Sequence, residues 1–272
     1  MELHLHLPKP GRLSTIIAGI LICYSFLPFM QVPARIISFS IIGILVSLQL
    51  NFYNLISLIT AVMAAAGMDW ILFDHPHRKD KNLFPHLILP ALTAGVIGFP
   101  LGLLKPGAAW WIILGLGSLL IVLVLLSEYI SIESTDIRYP LALMVLSGTS
   151  YSLLLILSIA LRSAGIRLYL LLLLLPAIYA FFSMRILNFR LGGHGRWRFQ
   201  WSAVITLVVT QILIALYYWP LSPVRFGLLL LGAAYAMIGV AASLEENPDP
   251  RNVYLEPLIV MAVLWILAIF IG

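Results

Sequence analysis

The sequence has 272 residues, of which 62% are hydrophobic and only 10% are charged, and its mean hydropathy is +1.05. Soluble domains carry about 25% charged residues, so this chain lacks the charge to cover a water-soluble globule and predicts a surface that meets lipid. The net charge of +5 comes from basic residues near the ends of apolar segments, with no soluble region to carry them, which argues against a nucleic-acid-binding protein.

Ten apolar segments, bounded by charged residues, proline or glycine, follow one another along the chain. None alternates as a barrel strand would, and a bilayer satisfies backbone polar groups only in helices or closed barrels. We therefore predict an all-α, polytopic transmembrane helix bundle that forms a single transmembrane domain over residues 1–272, with no soluble domain. The segments lie near residues 13–30, 35–50, 53–73, 86–104, 108–130, 139–162, 167–187, 200–219, 223–243 and 253–271.

The first three segments leave the number of membrane crossings open. Lys9 and Arg12 precede the first segment as in a secretory signal, but this segment is longer than a signal core, so we predict an uncleaved span. Segments 35–50 and 53–73 have almost no linker between them, and they form either two short spans or one span with a re-entrant piece. The prediction is therefore ten crossings, or nine in the second case.

The connections between segments alternate in length, and we name the two sides of the membrane accordingly. Face A carries the longer connections and face B the shorter ones. Counting the adjoining segment ends, nine lysine and arginine residues lie at face A and four at face B. Cytoplasmic loops are enriched in these residues, so face A is predicted to be cytoplasmic. Ten crossings put Lys9 and Arg12 on the opposite side, in conflict with the same rule. The face A connections are residues 74–85, 131–138, 188–199 and 244–252.

Acidic and histidine side chains supply the candidate catalytic residues. Ten of the eleven acidic residues lie on or near face A, and some lie within the ends of apolar segments. Ionisable groups at that depth are costly and usually face protein, water or a partner, which favours a polar site open to the cytoplasm. Snorkelling to the interface explains the same pattern. The candidates for acid–base work are Asp69, Asp74, His75 and Glu128.

The segment from Asp74 to Asp80 holds the candidate metal ligands. His75 and His77 flank Pro76, and two imidazoles with a carboxylate are ligands that zinc accepts. Zinc motifs usually space their histidines by about three to five residues, so a solvated interfacial loop fits the segment better. The single cysteine, Cys23, excludes a CxxC site. We predict no metal and no cofactor. If a metal ion does bind, His75 and His77 are its candidate ligands.

A glycine- and arginine-rich segment follows residue 188. Glycine lets backbone N–H groups approach an anion closely, and arginine forks suit phosphate. This chemistry predicts either a site for a phospholipid headgroup or phosphorylated substrate, or an anchor on the anionic inner leaflet. The residues predicted to bind phosphate are Arg190, His194, Arg196 and Arg198.

The centres of the apolar segments hold no charged residue or histidine. Ion-coupled transporters usually need an ionisable group near the midplane, so this composition disfavours them, although a pathway for a neutral solute stays open. Five glycines instead suggest close helix packing. They are Gly95, Gly98, Gly102, Gly115 and Gly117.

Four stretches of this sequence resemble an uncharacterised family of bacterial polytopic membrane proteins. That family carries no known activity, so the resemblance implies a membrane protein but transfers no site residues. The stretches are LFPHLILP at residues 83–90, SEY at 127–129, YWPLSPVRFG at 218–227 and LEPL at 255–258.

These patterns predict a multi-pass protein of the bacterial inner membrane, with membrane lipids and other membrane protein subunits as partners and no nucleic acid. Its function is predicted to be non-catalytic: an accessory, scaffold or lipid-interacting component. Two alternatives stay open, a membrane-embedded enzyme that acts on a phosphorylated lipid at the cytoplasmic face, and a transporter of a neutral or lipidic solute.

Overall fold

A computed structural model describes residues 8–30, 35–41, 44–75, 84–133, 135–191, 198–246 and 254–271. The backbone divides into two compact units, Met1–Leu146 and Ser147–Gly272. Apart from one short β-hairpin, the regular elements of the described chain are helices, as the apolar segments predict. The prediction of one transmembrane domain over the whole chain stays a prediction.

The first unit contains four helices and the hairpin, together with the start of a fifth helix. Helix α1 ends in a short 3-10 turn at Leu27–Phe29. The elements are α1 (Pro10–Ser25), β1 (Arg35–Ile41), β2 (Ile44–Leu50), α2 (Phe52–Leu72), α3 (Phe84–Leu103), α4 (Ala108–Ile130) and the first residues of α5 (Tyr139–Ser163).

The second unit contains the rest of α5 and four further helices. Gly165, at φ +62°, lies in the turn after α5, where its amide bonds the carbonyl of Arg162. A positive φ suits glycine, so the turn ends one helix before the next begins. The helices are α6 (Leu168–Arg190), α7 (Arg198–Tyr217), α8 (Pro223–Glu246) and α9 (Leu255–Phe270).

The helix predicted for residues 35–50 is wrong, because residues 35–41 and 44–50 form the antiparallel hairpin β1–β2, with Arg35 opposite Leu50 and Ile41 opposite Ile44. Sixteen residues make a helix of only about 24 Å, short of the roughly 30 Å hydrocarbon core. The segment is also rich in isoleucine, which favours strands. The hairpin connects α1 to α2.

Eight helices of the described chain are long and apolar enough to cross a membrane. They are α1 with its 3-10 turn, and α2 to α8, with 20 to 25 residues each. Twenty residues span about 30 Å, the thickness of the hydrocarbon core. Helix α9 has 16 residues and falls short of that length. The apolar helices thus fit a multi-pass membrane protein, while neither nine nor ten crossings is confirmed.

A buried polar node holds α1, α2 and α3 together. The hydroxyl of Tyr24 donates a hydrogen bond to the carbonyl of Ala94 at 2.5 Å and accepts one from Thr60 Oγ1 at 3.0 Å. It also bonds the backbone of Gly98. Ala94 and Gly98 are the two residues whose backbone groups pair with each other in a regular helix. Tyr24 is fully buried, so its hydroxyl needs these partners.

The glycines of α3 allow α2 to approach closely. A Cβ atom added at Gly95 would lie 3.2 Å from the Ala61 side chain, and one at Gly102 would lie 3.4 Å from Tyr53. On α4, a Cβ at Gly117 would lie 3.0 Å from Ile97, whereas one at Gly115 meets nothing within 4 Å. The predicted close packing is therefore confirmed at these positions except Gly115.

In the second unit, α8 is the most deeply buried of the candidate spans and packs against α6, α7 and α9. A Cβ at Gly239 would lie 2.9 Å from the ring of Pro257, and one at Gly232 would lie 2.9 Å from Trp265. The absence of side chains at these glycines therefore lets α9 pack closely against α8. The Trp265 indole also donates to the Leu229 carbonyl at 3.1 Å. Small residues at such contacts are typical of membrane helix pairs.

Candidate functional site

Four helix ends meet at one side of the first unit. The start of α1 lies beside the end of α2, and the first turn of α3 lies beside the last turn of α4. We call this region the polar end of the first unit. Its charged and histidine residues are Lys9, Arg12, Asp74, His75, His86 and Glu128.

Asp74 is bound by two basic residues that precede or begin α1. Lys9 Nζ lies 2.7 Å and Arg12 Nη2 lies 2.9 Å from Asp74 Oδ2. Arg12 also donates to the Trp70 carbonyl at 2.6 Å, and its guanidinium lies over the Trp70 ring at 5.2 Å. The Lys9 hydrogen bond and the charge of Arg12 hold the pKa of the Asp74 carboxyl below its usual value. These contacts fasten α1 to the end of α2.

Glu128 is fully buried near the end of α4, and His86 in the first turn of α3 is its partner. His86 Nδ1 lies 2.7 Å from Glu128 Oε2, and the His86 side chain is 15% exposed. Ser131 Oγ lies 3.5 Å from the same Nδ1 and donates to the Glu128 carbonyl at 2.9 Å. A buried carboxylate is tolerated when it is paired in this way. The pair therefore ties α3 to α4.

His75 and Asp69 are placed by the end of α2. His75 is 4% exposed, and its ring packs edge-on against Tyr129 of α4, with 4.7 Å between the ring centroids. Asp69, one turn before the end of α2, is partly buried. All four candidate acid–base residues thus belong to the first unit. Their catalytic role stays a prediction.

The metal hypothesis gains no further ligands from the described residues. Across these parts of the chain, no group of three His, Cys, Asp or Glu side chains is arranged to hold a metal ion. His75 contacts an aromatic ring, and His77, its proposed partner, lies outside the described residues.

The predicted phosphate-binding residues belong to the second unit. Arg198, at the start of α7, donates to the side-chain oxygen of Asn188 in α6. Arg190, at the end of α6, is exposed, and its Nη1 would lie 3.9 Å from a Cβ placed on Gly239 of α8. The two guanidiniums therefore have different neighbours. His194 and Arg196 lie outside the described residues, so the phosphate-binding role of this segment stays a prediction.

The sequence pattern does not predict the contacts of the polar end. Ten crossings put Lys9 and Arg12 on the side opposite Asp74, because segment 35–50 is counted as a span. His86 is likewise not matched to Glu128 from the sequence. The cost of a buried, unpaired carboxylate was a usable signal, because it requires a cationic or hydrogen-bonding partner for Glu128.

A second missed pair lies between α4 and α5. Arg138 donates two hydrogen bonds to the Asp136 carboxylate, at 3.1 Å through Nε and 2.7 Å through Nη2. These hydrogen bonds hold the pKa of the Asp136 carboxyl below its usual value. Three carboxylates of the first unit, at Asp74, Glu128 and Asp136, are thus matched to basic partners.

No curated protein and no solved structure matches the chain. A family model described as a protein of unknown function, DUF5656, matches residues 32–271. This range covers all four stretches that carry the resemblance seen in the sequence, and it begins before the hairpin and ends within the last turn after α9. The chain therefore belongs to this uncharacterised family, DUF5656.

Proposed function

We propose that this protein is a non-catalytic, lipid-interacting component of the cell membrane, and that the polar end of the first unit is a structural clamp rather than an active site. The observation that supports this most strongly is the buried pair of Glu128 and His86. It joins the end of one apolar helix to the start of another, which is how an intramembrane charge is made tolerable.

The geometry around His86 supports a structural role. A serine, a histidine and a carboxylate occur together, as in hydrolases, but nucleophile activation needs the carboxylate on one ring nitrogen and the serine on the other. Here Glu128 Oε2 and Ser131 Oγ both face Nδ1, at 2.7 Å and 3.5 Å. Ser131 therefore gains no base from His86 in this arrangement. Asp74 is likewise held by Lys9 and Arg12.

The charge distribution supports a cytoplasmic position for the polar end. The contacts of Lys9 and Arg12 with Asp74 place both basic residues at the end that carries the loop 74–85. They raise the lysine and arginine count of face A from nine to eleven, and the conflict over the N-terminus disappears once residues 35–50 do not cross the membrane. Our proposal puts the loops 74–85, 131–138, 188–199 and 244–252 in the cytoplasm.

The apolar surface of the helices supports contact with lipid. Large hydrophobic side chains are exposed along the candidate spans instead of being packed in a core, including Leu58 and Val62 on α2 and Ile112, Leu116 and Leu119 on α4. Contiguous apolar surface of this kind marks a membrane or protein interaction surface. Membrane lipids and neighbouring membrane proteins are the partners that such a surface accepts.

A comparison of lipid pools tests the non-catalytic proposal. Cells that lack the protein are complemented with wild type, Asp69→Asn or Asp74→Asn, and phosphorylated lipids are quantified by mass spectrometry at matched protein abundance. We expect the same lipid profile with all three forms. Loss of an acid–base group slows a reaction by about 10²–10⁴-fold, so accumulation of one phosphorylated lipid in either variant would overturn the proposal and establish an enzyme.

A further inference from the structure

Tyr151 in α5 carries a buried hydroxyl that no described residue bonds. Its ring packs against Tyr235 of α8, with 5.1 Å between the ring centroids, so the side chain has a defined position between two helices of the second unit. A buried hydroxyl without a partner is uncommon, because the group loses its water without a replacement bond. The position therefore indicates an acceptor that the described residues do not supply.

The guanidinium of Arg190 is a charged group on the same side of α8 as this ring pair. Its Nη1 would lie 3.9 Å from a Cβ placed on Gly239, one helical turn along α8 from Tyr235, whose ring packs against Tyr151. Arg190 is exposed, and within the described residues no carboxylate forms a salt bridge with it. A cation and a hydroxyl donor thus point to the same kind of ligand, an anion with more than one acceptor oxygen.

We propose that Arg190 and Tyr151 bind the phosphate group of an anionic membrane phospholipid. Arginine matches phosphate oxygens through its fork of donors, and the tyrosine hydroxyl donates to a further oxygen. The inference rests on the proposed lipid-interacting role and specifies its site. It pairs Arg190 with Tyr151 and not with Arg198, whose guanidinium bonds Asn188.

The surroundings of this site favour a lipid over free phosphate. Pro257 at the start of α9 packs on Gly239, beside Arg190. From that point α9 carries exposed Leu255, Leu258 and Ile259, which offer an apolar surface to an acyl chain. A phosphodiester near Arg190 therefore has its hydrocarbon next to exposed hydrophobic side chains of the same unit. Free phosphate uses only the charged part of the site.

Thermal-shift titration of the purified protein in neutral detergent tests the site. The probes are phosphatidylglycerol, phosphatidylcholine and inorganic phosphate, and the proteins are wild type, Arg190→Gln and Tyr151→Phe. We expect phosphatidylglycerol to give a saturable rise in Tm for wild type. Arg190→Gln should weaken the apparent affinity about tenfold and Tyr151→Phe about fivefold, the sizes expected for a charged and a neutral hydrogen bond.

A matched tyrosine separates lipid binding from folding. Tyr179 is also buried, but its hydroxyl already bonds Ser158 at 3.1 Å. Tyr179→Phe should lower the lipid-free Tm and leave the phosphatidylglycerol affinity unchanged. Tyr151→Phe should do the reverse, because in the absence of lipid it removes a hydroxyl that has no bond to lose.

Each other outcome contradicts a stated part of the inference. Equal phosphatidylglycerol affinity in wild type, Arg190→Gln and Tyr151→Phe would reject this site and leave the lipid-interacting role intact. The same saturable rise with inorganic phosphate alone would assign the site to a free anion and reject the lipid. No saturable rise with either phospholipid in wild type would overturn the proposed lipid-interacting function itself.

Discussion

Gly98→Ala is expected to lower the free energy of unfolding by about 2–4 kcal/mol, the sum of overpacking a dense helix contact and displacing a buried hydrogen bond. The added Cβ would overlap Ser57 Oγ, and it would lie 3.1 Å from Ser57 Cβ and 3.3 Å from Tyr24 Cε1. The serine hydroxyl can rotate away, but it then leaves the Tyr24 hydroxyl that it bonds. The substitution therefore damages the node that joins α1, α2 and α3.

Reversible unfolding in mixed detergent gives this free energy, and Gly115→Ala is the matched control. A Cβ at Gly115 meets nothing within 4 Å, and alanine is the better helix former, so the control should be neutral or slightly stabilising. Similar unfolding free energies for Gly98→Ala and wild type would contradict the close approach of α2 to α3 at this position.

Glu128→Ala is expected to lower the free energy of unfolding by about 3–5 kcal/mol, because it removes one partner of a buried hydrogen-bonded pair. The Glu128 side chain is fully buried, and its removal leaves the His86 ring without the oxygen 2.7 Å from Nδ1. Glu246→Ala, at an exposed position at the end of α8, should change the free energy of unfolding by less than about 0.5 kcal/mol. The same unfolding assay compares the two variants.

A double-mutant cycle shows whether the contact between His86 and Glu128 accounts for the expected loss of unfolding free energy. His86→Leu and Glu128→Leu each remove the 2.7 Å hydrogen bond and leave one polar side chain facing leucine, whereas the double variant leaves an apolar contact. We expect the double variant to be more stable than the sum of the single losses by about 1–3 kcal/mol. Simple additivity would mean that the two side chains do not stabilise one another.

The apolar segments predicted the helices well because the thickness of the hydrocarbon core sets the length of a spanning helix. Residues 108–130 were predicted and observed as one helix, and the predicted segment 139–162 lies within one residue of α5. The helix predicted for segment 35–50 was wrong because hydropathy alone does not distinguish a helix from a strand in a short apolar segment. Its length and its isoleucine content contained the missing information.

Close packing of glycine was predictable only in part. Gly95, Gly98 and Gly102 follow helical spacing and face α2, as their pattern indicates. Gly115 has the same local sequence character as Gly117 but faces open space. The orientation of α4 about its own axis decides this difference, and it depends on tertiary contacts with α3 that a single sequence does not specify.

The candidate site was predictable as a composition but not as a set of contacts. The sequence placed Asp74, His75 and Glu128 at the same face, and the structure brings them to one end of the first unit. Their partners, Arg12 and His86, come from helices that are distant in sequence. Such pairs depend on which helices are neighbours, and a single sequence does not specify this. At the N-terminus, the helix wrongly predicted for residues 35–50 put the start of α1 on the side opposite Asp74.

Cysteine accessibility tests the central claim most directly, namely that the first unit spans the membrane with its polar end in the cytoplasm. In a Cys23→Ala background, Gly11→Cys marks the polar end and Gly107→Cys marks the opposite end of the same unit. Both glycines are exposed, and an added Cβ has at least 3.9 Å of clearance at either position. We predict that a membrane-impermeant maleimide labels only Gly107→Cys in intact cells and labels both after permeabilisation. Labelling of Gly11→Cys alone would invert the topology, and labelling of both in intact cells would contradict a membrane-spanning first unit.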